Sequence, residues 1–168
     1  MASQIIKGKK DVLLPSLYEF FSDKTKLNIM IPIISGYSEL SIRVLDWFVT
    51  NYAKKKNTIY AVSDGTHFNV YMNYKSQLKG YKKKLFDPFC RKKRIPFYYG
   101  DNKCIITTIG QLNFFRWAIS NDIIDYVRQN IEDISADMNT TNVNSDTQNT
   151  TSSDNKVNIH PIILDLQS

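Results

Sequence analysis

Histidine and cysteine are nearly missing from this chain, two of each in 168 residues, and that scarcity removes several chemistries at once. Cys90 and Cys104 stand fourteen residues apart with no paired neighbour, which is not the close ligand spacing of a structural zinc site. With no larger cysteine framework they read as reduced thiols, and no disulfide is assumed. A Cys–His nucleophilic pair would need His67 to meet Cys90 or Cys104, and nothing in the spacing supports it; His160 lies in the tail. Glycine is sparse as well. Gly80, Gly100 and Gly110 are isolated, so no phosphate-binding glycine loop is present. Asp122 and Asp125, one helical turn apart, could meet a metal, but with Glu132 and Asp133 they read more simply as the acidic outer face of a last helix. The expectation is a protein without catalytic residues, metal or cofactor.

Long apolar runs are lacking too. The run 27–34 is too short to cross a bilayer, and Met1 to Lys10 is polar and basic without the apolar stretch of a secretory signal. A soluble protein with no integral membrane segment is expected. At 168 residues the chain can bury one core of ordinary size without staples.

What the chain does have is segregated charge. The segment 54–94 carries twelve Lys and Arg against Asp64 and Asp87, a charge of +10, whereas the whole chain is +6 and the remainder therefore −4. Like charges gathered on a small domain repel one another, and such an arrangement usually persists where a polyanion meets it. The cluster has two centres, Lys79-Gly80-Tyr81-Lys82-Lys83-Lys84 and Arg91-Lys92-Lys93-Arg94. Lys and Arg neutralise phosphates while exposed aromatic rings stack on unpaired bases, so Lys79, Tyr81, Lys82, Lys83, Lys84, Arg91, Lys92, Lys93 and Arg94 read as a sequence-tolerant surface for DNA or RNA. An acidic protein partner, a membrane surface or a merely solvated face are the other readings of the same charges. Phe86, Phe89 and Phe97 are expected in the core by residue type.

The pattern along the chain predicts an α+β domain over 1–136 with two β-hairpins and about four helices. Leu27 to Ile34 reads as an edge strand because of its β-branched content and Pro32, ended by Ser35-Gly36. A helix follows with Ser38 as N-cap and Leu40, Val44, Leu45, Phe48, Val49 and Tyr52 on its apolar face. The first hairpin joins Thr58–Val62 to His67–Tyr71 through Asp64-Gly65. Tyr74, Leu78, Tyr81 and Leu85 then share one helical side up to a break at Pro88. The second hairpin joins Arg94–Tyr99 to Lys103–Thr107, with Pro96 near an edge. After Thr107 or Thr108 as N-cap, apolar spacing from Ile109 to Ile131 predicts two helices broken near Asn121.

From 137 to 158 the composition turns to Asn, Thr, Ser and Asp, which cannot offset the entropy of ordering, so a disordered linker is expected. The apolar segment 159–168 has two readings: a docking peptide for a protein partner through Ile159, Ile162 and Leu164, or a last strand of its own domain. The stretches His67-Phe68-Asn69-Val70-Tyr71 through Tyr74-Lys75-Ser76-Gln77-Leu78-Lys79, Phe86-Asp87-Pro88-Phe89-Cys90-Arg91 and Thr107-Thr108-Ile109-Gly110-Gln111-Leu112-Asn113-Phe114-Phe115-Arg116-Trp117-Ala118, with the Asn-rich tail, resemble a small uncharacterised protein family of large eukaryotic DNA viruses such as mimiviruses. That resemblance brings no catalytic residue and implies a setting in the host cytoplasm, viral factory or virion. The expected function is nucleic-acid binding; the alternative is a virion or scaffold protein that turns the same basic face to an acidic protein.

Overall fold

Two helices open the fold where the sequence pattern offered a strand. The computed structural model describes residues 8–146 and 163–165, with side chains for 8–144. Helix α1 spans Lys9–Phe20 and buries Leu13 and Leu17; its first turn is fastened by the Gly8 N–H donating to Asp11 Oδ2 at 3.1 Å. Helix α2, Lys24–Ile34, replaces the expected edge strand. Asp23 caps it by accepting from the Thr25 N–H at 2.9 Å, and Met30, Ile33 and Ile34 are buried. The strand reading followed the β-branched side chains, but Leu27, Met30, Ile31 and Ile34 recur at helical steps, and burial against the core overrides a propensity difference of a few tenths of a kcal/mol per residue. Pro32 sits in the last turn, and Gly36 at φ 78 ends the element.

The next helix starts at Ser41, not Ser38: Ser41 Oγ accepts from the Val44 N–H, while Ser38 Oγ serves the Leu40 N–H in the preceding turn. It runs as α3 (Ile42–Trp47), a π turn (Phe48–Tyr52) and α4 (Ala53–Lys56), and stops at Asn57 in the left-handed conformation. Both hairpins form. Strands β1 (Ile59–Ala61) and β2 (His67–Asn69) pair antiparallel around Gly65 at φ 82, with Asp64 Oδ1 accepting from the Thr66 N–H. Helix α5, Val70–Tyr81, begins earlier than expected because Asn69 caps it, and it breaks at Lys82 before α6, Lys83–Phe86.

Strands β3 (Arg94–Tyr99) and β4 (Lys103–Thr108) pair from Arg94↔Thr108 to Tyr99↔Lys103. Of the two outcomes open for the terminal segment, the fold contains the strand: β5, Ile163–Asp165, pairs antiparallel with β4, Leu164 standing opposite Cys104. The sheet order β3-β4-β5 leaves the Pro96 strand at an edge. Ile159 and Ile162 lie outside the described residues.

Helix α7, Ile109–Ser120, is buried on almost every side and forms the centre of the core. Phe86, Phe114, Trp117 and Tyr74 pack around it with ring centroids 5.4–5.9 Å apart. Helices α8 (Ile123–Gln129) and α9 (Ile131–Asp146) follow, so the expected pair of helices is a set of three. The boundary drawn at 137 falls inside α9. Met138 is buried there, and Asp137 accepts from Trp47 Nε1 at 2.9 Å and from Lys55 Nζ at 2.6 Å, which ties the helix to α3 and α4. The described part of the expected linker is thus helical up to Asp146, and 147–158 lie outside the described residues. The class is α+β as expected, but with α3, its π turn and α4 taken as one, the described residues hold eight helices where about four were expected.

Candidate nucleic-acid interface

The basic face is built on a short, tightly held segment. Gly110 at the start of α7 lets α6 approach so closely that a Cβ there would lie 3.0 Å from the Lys84 carbonyl oxygen, 3.1 Å from that of Asp87 and 3.2 Å from the Phe86 nitrogen. Asn113 Nδ2 donates to the Leu85 carbonyl at 2.8 Å, and the Phe86 ring is fully buried beneath. Asp87 then turns the chain by accepting from the Phe89 N–H at 2.8 Å. Held in this way, 83–86 presents Lys83 and Lys84 outward while Phe86 packs against Phe114 and Trp117 of α7.

The nine residues expected at the interface follow one another along α5, α6, the connecting loop and the start of β3. Lys79 ends α5, Lys82 links α5 to α6, Lys83 and Lys84 lie on α6, Arg91, Lys92 and Lys93 follow in the connecting loop, and Arg94 opens β3; all eight cations are exposed. None of them forms an ion pair among the described residues, where the pairs are Lys26–Asp23 and Lys55–Asp137. Lys82 holds φ 67 and ψ 165, a conformation essentially reserved for glycine. Tyr81 is half-buried, its ring parallel to Phe86 at a centroid distance of 6.0 Å, so one face already serves the core.

Phe86 and Phe97 are buried as expected, but Phe89 is 42% exposed. The turn that Asp87 fastens carries its ring outward, and residue type alone does not report turn geometry. Tyr98 is 56% exposed on β3. These two are the open aromatic rings of the basic region.

The sequence reading missed α1. Lys9 Nζ donates to the Gly80 carbonyl at 2.9 Å, across seventy-one positions of sequence. Lys10 lies against Lys93: the contact between the two ammonium groups, then desolvation, then Coulomb repulsion by Lys93 hold the Lys10 pKa below the ordinary lysine value, with Asp11 opposing. The only sequence signal was the basic string at Lys7 to Lys10, and no local pattern could say which face it joins. Between α1, α6, the 90–93 loop and β3 opens a cleft of about 210 Å³ with Lys10, Lys84, Lys92 and Lys93 among its lining residues.

The run 54–56 contributes less than its sequence promised. Lys55 is paired with Asp137, and Lys54 stands 5.5 Å from the Tyr71 ring centroid, so these cations serve the junction of α4, α5 and α9. His67 and Cys104 lie apart from the face in β2 and β4. Among the described residues no group of three or more His, Cys, Asp or Glu could hold a metal, and no helix is long and apolar enough to cross a membrane.

An α+β domain whose Lys10, Lys84, Lys92 and Lys93 line one cleft is therefore the class that fold and surface define. Residues 2–162 match the model of a family described as a family of unknown function, DUF7197, and the chain belongs to that family. Over 142 residues it is 47% identical to an uncharacterised protein of Acanthamoeba polyphaga mimivirus, in an alignment covering 79% of this chain and 55% of that protein. The chain thus spans about half the length of the curated relative it matches. No solved structure matches it significantly. The relative supports a viral origin and agrees with the resemblance read from the residues.

Proposed function

We propose that this protein binds nucleic acid with little sequence preference through the face from Lys79 to Arg94, extended by Lys9 and Lys10 of α1. The observation that carries the reading is the set of cations on α1, α5, α6, the 90–93 loop and β3, none of which forms an ion pair among the described residues. Uncompensated like charge is electrostatically unfavourable to the fold and favourable to a phosphate backbone, whose condensed counterions are released on contact. The cations of this face lie at helix ends, in the four-residue α6 and in a loop, with Lys79 in the last turn of α5, Lys82 just after it and Arg91 to Lys93 in the connecting loop, which favours backbone contact over base reading. The role is that of a binding protein rather than an enzyme, in the DNA handling of a viral factory or in the virion.

The test is fluorescence anisotropy of labelled DNA and RNA against the parent and a variant with Lys82, Lys83, Lys84, Arg91, Lys92, Lys93 and Arg94 changed to Ser. The parent should bind both, ever more weakly as salt rises, and the variant should lose most of that affinity with its fold intact by circular dichroism. Equal affinity of parent and variant at moderate salt would remove this face from the function. Failure of the parent to bind either probe, with salt-sensitive binding to a polyglutamate chain, would instead favour the scaffold role on an acidic protein.

A further inference from the structure

The cleft beside Lys10 is more than another part of a charged surface, because its floor is apolar. Leu85, Ile95 and Ile109 line it together with Cys90 and Thr108, while the four lysines supply its cations. Its volume of about 210 Å³ equals the liquid-volume share of about seven water molecules, room for one ring-sized group and too little for a duplex or a drug-sized ligand. A phosphate alone would satisfy the lysines but leave Leu85, Ile95 and Ile109 without an apolar partner; an unstacked base with its flanking phosphates satisfies both. We infer that the cleft between α1, α6, the 90–93 loop and β3 receives a single unpaired base, its neighbouring phosphates held by Lys10, Lys84, Lys92 and Lys93, so that the protein selects single-stranded over double-stranded nucleic acid. This inference rests on the nucleic-acid reading and adds to it the strandedness of the ligand.

The chemistry follows from the lining. A base in a duplex has its faces covered by its neighbours, and extruding it costs unstacking and unpairing, whereas a single strand presents bases already free. Each base offers a π face that packs on apolar side chains whatever its identity, which leaves the cleft tolerant of sequence. Lys10 and Lys93 lie against each other, and a phosphate between them relieves their repulsion; the depressed Lys10 pKa reports the same proximity.

The experiment uses the full chain and four probes of equal length: a labelled thymidine strand, a uridine strand, a strand of abasic residues that keeps every phosphate, and a DNA duplex. The thymidine or uridine strand should bind at least about tenfold more tightly than the abasic strand, the scale of one buried base contact, and more tightly than the duplex. Cys90→Phe, which fills the cleft, should lower affinity for the base-bearing strand to that of the abasic strand and leave the abasic strand's own affinity unchanged; Cys90→Ser should change neither. Equal binding of abasic and base-bearing strands by the parent, a comparison needing no variant, overturns the inference while leaving the proposed function standing. Tighter binding of the duplex overturns it as well. Absence of binding to all four probes would sink the proposed function itself.

Discussion

Lys82 and Asp46 each hold a state that their residue type does not favour. Lys82 at φ 67 and ψ 165 occupies backbone space that costs a side-chain-bearing residue about 1–3 kcal/mol. Lys82→Gly should therefore raise stability in urea unfolding by about 1 kcal/mol after the entropy that glycine adds to the unfolded chain is subtracted. The same variant should bind oligonucleotides more weakly, since the exposed ammonium goes with the strain. Asp46, half-buried on α3, has its pKa pushed up to about 6, by burial first and by the Asp87 carboxylate second. An unfolded aspartate titrates near 3.9, so between that value and about 6 the folded state binds more protons than the unfolded one, and stability falls as pH rises through this window. Asp46→Asn should flatten that dependence and melt above the parent at neutral pH, which thermal melts across the window will read.

At the scale of elements, the contact of α6 with α7 decides where the basic face sits. Gly110→Ala would drive a Cβ to within 3.0–3.2 Å of three backbone atoms of α6 and its following turn, atoms that cannot swing aside as a flexible side chain can. Overpacking of this kind costs about 1–3 kcal/mol, and the displaced α6 should weaken oligonucleotide binding although no cation is lost. Gly80 offers the contrast. It lies in the last turn of α5 with nothing within 4 Å of an added Cβ, so Gly80→Ala should stabilise by up to about 1 kcal/mol and leave binding unchanged. Paired urea titrations and anisotropy curves separate the two outcomes: a harmless Gly110→Ala would mean that α6 is not seated where these distances place it. The π turn from Phe48 to Tyr52 belongs to this scale as well, since it carries Phe48 against Tyr126 of α8, the rings 5.3 Å apart.

For the whole molecule, charge placement makes a claim that salt dependence can check. If Lys10 contacts phosphate, Lys10→Ser should reduce the slope of log affinity against log salt by about 0.7 for a single strand, whereas Lys26→Ser, whose ammonium pairs with Asp23 and lies over the Phe20 ring, should leave it unchanged. Equal slopes for both variants and the parent would exclude Lys10 from the interface. The amino-acid sequence by itself determined the α+β class, both hairpins and the cation-rich segment, because these rest on local rules: Asp64-Gly65 supplies the turn, runs of β-branched and aromatic residues set the strands, and Lys and Arg are counted from the sequence directly. It did not determine α1 and α2, whose apolar residues take helical form only because the core receives their faces, nor the extent of α9, where Asp137 is held by Trp47 and Lys55 from across the fold. The second half of the site was equally out of reach. Lys10 meets Lys93 and Lys9 meets Gly80 through contacts that no local pattern encodes, and the cleft exists only where α1, α6 and β3 are packed side by side. Composition supplied the charge; tertiary packing decided what that charge surrounds, because burial couples residues by distance in space and not by separation along the chain.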